Sequence, residues 1–127
     1  MTSHGFTLME LITVVAIIGI LIGIALPNYR GAILLSKEAV LKENLFRFRD
    51  TIDQYQADKG RYPASLEALV ADGYLRTIPK DPISNSRDWT EVPADPDPDN
   101  PGEPAGIFDV HSASEGTAMD GSLYKEW

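Results

Sequence analysis

One carboxylate stands where a carboxylate is costly. From Phe6 to Leu26 the chain holds a single ionisable residue, Glu10, and such a group in apolar surroundings costs about 2.5 to 3.5 kcal/mol or more unless it finds a cationic partner. Just before the run, a short polar leader, Met1-Thr2-Ser3-His4-Gly5, ends in glycine. A secretory signal carries a basic start and a small-x-small site after its apolar core, which Ala25-Leu26-Pro27 fits poorly, so a cut is expected ahead of the apolar run. Catalytic chemistry has little to work with. His4 sits in the leader, His111 beside Ser112 and Ser114 has no third orienting group that the sequence identifies, and cysteine is absent, so the chain is expected not to be an enzyme. The segment Pro93–Pro104 is rich in carboxylates, and oxygen-only ligands suit Ca²⁺. Prolines nevertheless occupy the intervening positions of any Asp-x-Asp-x-Asp-Gly hand, so this segment reads as a solvated loop.

The element that must carry Glu10 is a helix. Roughly 21 residues at 1.5 Å rise give about 31 Å, one hydrocarbon core, and the Ile, Val and Leu residues lie all round rather than on one stripe, which favours a span over a surface helix. Gly19, Gly23 and Pro27 fall four apart. The glycines allow close helix approach, and Gly23 with Pro27 is expected to loosen the helical ladder. The 127 residues leave room for one small domain beside the span. A net charge of −8 argues against nucleic acid as a partner, because phosphate binding is driven by Lys and Arg.

Beyond Asn28, Leu34, Leu41, Leu45, Phe48, Ile52 and Tyr55 recur at mostly three- and four-residue steps. This predicts an amphipathic helix to about Asp58, with Lys59 and Gly60 at its end and Pro63 barring continuation. Glu38 to Lys42, Glu43 to Arg47 and Arg49 to Asp53 are spaced four apart and read as a solvated or subunit-facing surface. Ser65 is placed to cap a short helix that buries Leu66, Leu69 and Val70 and ends at Asp72-Gly73. Ile107–His111 alternates like a strand, with Phe108 and Val110 on one face, and Trp89–Val92 is its candidate partner in a small antiparallel sheet.

The order Gly5-Phe6-Thr7-Leu8-Met9-Glu10-Leu11, apolar run, Pro27-Asn28 resembles the class III signal of type IV pilins and pseudopilins. The later Gly60-Arg61-Tyr62-Pro63 turn and Ile78-Pro79-Lys80-Asp81-Pro82 resemble the major pseudopilins of type II secretion. The resemblance implies a type IV pilin-like α+β fold: a long N-terminal helix, half membrane-spanning and half amphipathic, packed on a small C-terminal antiparallel sheet. It divides the chain into a leader (1–5), a membrane and filament-core helix (6–27) and a periplasmic domain (28–127). It further implies cleavage after Gly5 by a prepilin peptidase, N-methylation of Phe6, and pairing of Glu10 with the N-terminal amine of Phe6 in a neighbouring subunit. The N-terminus is then cytoplasmic and the span lies in the bacterial inner membrane. The charge pattern does not itself set this orientation, since His4 precedes the span while Arg30 and Lys37 follow it. The implied partners are further copies in a helical filament, minor pseudopilins, and an inner-membrane platform with its ATPase. Calcium is the one implied cofactor, with Ser112, Glu115 and Asp120 as the positions that could match its loop; the alternative is a loop closed by Ser and Asp hydrogen bonds. The alternatives are a type IV or competence pilin and a monomeric membrane-anchored binding domain.

Overall fold

The computed structural model describes residues 4–127; Met1, Thr2 and Ser3 of the expected leader lie outside the described residues. The elements are α1 (Leu8–Lys59), α2 (Leu66–Ala71), β1 (Trp89–Pro93), β2 (Ile107–Ser112) and a closing 3₁₀ turn, Tyr124–Glu126. The chain forms two compact units, Met1–Leu35 and Ser36–Trp127.

In the first unit α1 is long and apolar enough to cross a membrane. Its large side chains, among them Ile12, Val15, Ile20 and Ile24, are exposed, which is the surface expected of a helix whose solvent is lipid.

In the second unit the expected stripe is buried from Leu41 through Leu45, Phe48 and Ile52 to Tyr55, each large side chain contributing about 1.5 to 3 kcal/mol on burial; Leu34, expected to begin it, falls in the first unit and is only partly buried. Two clusters share it. Phe48, Ile52 and Tyr55 pack with Leu66 and Leu69 of α2 and Ile107 and Val110 of β2, while Leu41 and Leu45 pack with Ala118 and Tyr124. Trp89 touches both clusters, its ring crossing that of Phe48 in an edge-to-face pair with centroids 4.8 Å apart, and its indole N–H donates to the Pro79 carbonyl at 2.9 Å. The sheet alone does not cover the stripe: α2 and the C-terminal segment complete it. The helix ends as expected, with Gly60 at φ +70, and Ser65 caps α2 by accepting the Ala68 N–H at 3.3 Å.

The strands pair antiparallel, from Trp89 opposite Ser112 to Pro93 opposite Ile107, with an irregularity between Val92 and Pro93. Val92 faces Asp109 and Pro93 faces Ile107, so Phe108 is an extra residue without a partner. The bulge breaks the expected alternation: Val110 is buried, whereas Phe108 turns outward and is 47% exposed. The connection 94–106 has turns but no strand or helix, as its proline and aspartate content dictates.

The surface expected opposite the stripe holds only in part. Glu43 and Arg47 do pair at the exposed face, 3.0 Å apart. Glu38, by contrast, is buried. Arg49 leaves Asp53 and reaches Asp109 at 2.7 Å, the Val110 carbonyl and the Trp127 carbonyl.

Candidate functional site

The N-terminal segment of α1 carries the group that the sequence marks first. Residues 4–7 precede the helix without regular structure, open space surrounds Gly5, and Phe6 is 87% exposed. The Gly5–Phe6 bond therefore lies on exposed, non-helical backbone, the kind of segment that a protease can seat.

Thr7 starts the helix. Its hydroxyl accepts the Glu10 N–H at 3.2 Å, the Glu10 carboxylate accepts the Thr7 N–H at 3.0 Å, and the Thr7 carbonyl takes the first helical bond from Leu11 at 3.1 Å. This is a reciprocal capping box: two N–H groups that a helix start leaves orphaned are satisfied, and the carboxylate stands at the positive end of the helix dipole. The Thr-x-x-Glu spacing is the sequence signal for it, and reading Glu10 only as an inter-subunit group misses it. Further along, Gly19 and Gly23 have no neighbour that a Cβ would meet, and α1 runs unbroken through Pro27.

The C-terminal loop is held by carboxylates. Asp81, fully buried, accepts the Ile83 N–H at 2.8 Å and a longer bond from the Ser84 N–H on one oxygen, and the hydroxyls of Ser112 and Ser114 on the other. The Ser112 hydroxyl also accepts the Ser114 N–H at 3.2 Å. Asp120 accepts both the N–H and the hydroxyl of Ser122, whose oxygen in turn receives the Trp127 indole N–H at 2.7 Å. Glu115 is exposed. The three positions matched to calcium thus differ in burial and in bonding. Among the described residues, no three His, Cys, Asp or Glu side chains are grouped to hold a metal. The serines beside His111 are turned to Asp81, while the imidazole meets the Trp127 carbonyl at 3.1 Å and lies 3.6 Å from Asp109.

Glu38 fastens the same loop to α1. One of its oxygens accepts the Tyr124 hydroxyl at 2.7 Å and the Met119 N–H at 2.9 Å. Burial, then the hydrogen bond and the charge of Glu38, push the Tyr124 phenol up to about 12. The folded state therefore favours the neutral phenol. That stabilisation is complete below pH 10, the ordinary tyrosine value, and is lost as pH rises from about 10 through about 12. Phenolate absorbance should show a tyrosine titrating late among the five in the chain. Tyr124→Phe should remove the latest step and leave only the rise at Tyr74, whose phenol is raised by its hydrogen bond to Asp58; an unchanged titration would place the shift elsewhere.

Residues 1–26 match the prokaryotic N-terminal methylation motif family. The chain is 32% identical over 96 residues to the type II secretion system core protein G of Pectobacterium carotovorum subsp. carotovorum, covering 63% of this chain and 62% of that protein. To the protein of the same name from Escherichia coli K12 it is 31% identical over an alignment of 131 residues, 87% of this chain and 81% of the relative. To that of Pseudomonas aeruginosa it is 34% identical over 99 residues, 65% and 70%. No solved structure matches. A coverage of four fifths of the Escherichia coli relative, on a fold with the exposed apolar helix and small antiparallel sheet described above, shows that the chain belongs to the type II secretion system core protein G family.

Proposed function

We propose that the chain works as a pseudopilin: a structural subunit that is cut after Gly5, N-methylated on Phe6, held in the inner membrane with its N-terminus cytoplasmic, and then stacked with copies of itself into a periplasmic filament. The filament, with minor pseudopilins at hand and driven by a membrane platform and its ATPase, moves folded proteins across the outer membrane. The role is structural rather than catalytic. The observation that carries this reading is the start of α1: an apolar helix exposed all round, with one carboxylate in its first turn, inside the segment that matches the methylation motif. An exposed apolar helix is stable in lipid or against copies of itself, and a filament core supplies the second environment.

Processing is the direct test. In cells with an active prepilin peptidase, intact-mass measurement should find the chain shortened to Phe6 and carrying one methyl group. Gly5→Ala should be cut more slowly or nearly normally, and a bulky residue such as Gly5→Leu should leave Met1 attached. Recovery of the uncut wild-type chain from such cells would remove the reading.

A further inference from the structure

Residues 113–127 close the second unit with very little regular structure: one bridge, Thr117 opposite Leu123, and the 3₁₀ turn. Their apolar contribution to the core is Ala118 and Tyr124, with Trp127 half-buried beside them. Ordering so long a segment costs more conformational entropy than burying those side chains returns. Something else must hold it.

Carboxylates from outside the segment, Asp81 and Glu38, hold its start and middle; a third, Asp120, lies within it and ties its end together, where the Trp127 carbonyl also meets Arg49 and His111. Asp81 takes the hydroxyls of Ser112 and Ser114. Glu38, on α1, takes the Met119 N–H and the Tyr124 hydroxyl. Asp120 takes Ser122, which takes the Trp127 indole. Hydrogen bonds to an ionised acceptor are shorter and about twice as strong as neutral ones. Among the described residues, neither Asp81 nor Glu38 has an ion-pair partner, so donors alone compensate these two buried charges.

We propose that these three carboxylate clasps close the C-terminal loop without a metal ion, so that the stability of this chain is indifferent to calcium. A calcium ion needs about six to eight oxygen ligands, several of them carboxylate or carbonyl. Here Ser112 is fully buried and already engaged as donor and acceptor, Asp120 is turned to Ser122, and Glu115 is exposed. Among the described residues, every buried side-chain nitrogen or oxygen already has a hydrogen-bond partner. An entering cation would have to break bonds that exist instead of filling a vacancy.

The experiment uses the full chain in detergent, with calcium chloride at millimolar concentration and with a chelator in excess. The wild-type melting midpoint should agree within about 1 °C between the two, and amide exchange over residues 113–127 should be the same in both. Glu38→Ala should speed exchange in that segment at least tenfold while leaving the 94–106 loop unchanged, and again without regard to calcium. Asp81→Asn turns an amide N–H₂ toward hydroxyl donors, so its midpoint should fall by more than about 5 °C; if it fails to fold, Ser114→Ala tests the same clasp with a smaller fall. A midpoint that calcium raises by several degrees in the wild type would overturn the proposal. So would unchanged exchange in Glu38→Ala, because the loop would then be held by something other than its clasps.

Discussion

Gly106→Ala is expected to destabilise the second unit by about 3 kcal/mol or more, and to lower the melting midpoint by roughly 12 to 24 °C for a domain of this size. Gly106 has φ +76, and a Cβ there would stand 2.6 Å from the Pro63 carbonyl oxygen and 2.9 Å from that of Tyr62. The left-handed conformation alone costs an L-residue about 1 to 2 kcal/mol. The contact adds more, because both obstacles are backbone and cannot turn aside. The Pro63 carbonyl is also pinned, by the Ile107 N–H at 2.8 Å, and Gly106 itself is held by the Ala94 N–H donating to its carbonyl at 2.9 Å. Any shift that admits the methyl group pulls Ile107 out of the core and disturbs the start of β2. Gly102→Ala is the control, since it has open space and no left-handed φ, and it should change stability by no more than about 0.5 kcal/mol. Circular dichroism melts of the two full-length variants in detergent settle the comparison. Near-equal midpoints would mean that the turn at Tyr62–Pro63 yields more easily than its hydrogen bonds suggest.

What the sequence made legible was local. The stripe from Leu41 to Tyr55, the Gly60 stop, the Ser65 cap and the two strands each rest on spacings within a few residues, and all appear within a residue or two of expectation. The misreadings have partners far along the chain or a break in register. Glu38 looked like one half of a surface pair with Lys42, yet its phenol partner is 86 residues away. Asp81 lay in a recognised Ile-Pro-Lys-Asp-Pro stretch, but its burial depends on Ser112, 31 residues later. Helical periodicity places Glu38 on the buried face, three residues before Leu41; only tertiary contact could show that a carboxylate is tolerated there. Phe108 was lost to a bulge, because period-two alternation has no way to announce an extra residue. Thr7 is different: the capping-box spacing Thr-x-x-Glu is written in the sequence, and the donor nearest Glu10 is the Thr7 N–H three residues before it.

That nearest donor sharpens what should happen when Glu10 is changed. Glu10→Leu is expected to reduce filaments and secretion by at least tenfold while the protein still enters the membrane and loses its leader. The apolar helix drives insertion, and leucine only strengthens it, whereas the carboxylate supplies two things that leucine cannot. One is the capping bond to the Thr7 N–H seen in the single chain. The other, under the proposed function, is a charge pair with the N-terminal amine of Phe6 in a neighbouring copy, which relieves the cost of the buried charge and fixes axial register between helices that would otherwise slide. Glu10→Gln separates the two. Glutamine serves a capping box as glutamate does but carries no charge, so the helix start survives while the pairing is lost. Electron microscopy of cells overproducing each variant, with membrane fractionation as the control for insertion, should find Glu10→Gln nearly as deficient as Glu10→Leu. Thr7→Val, which removes the reciprocal hydroxyl and keeps the charge, should assemble far better than either. Normal filaments from Glu10→Gln would show that capping suffices and that no charge pair sets the register. Loss of Glu10→Leu protein from the membrane would instead trace the defect to insertion, because assembly would then never have been reached.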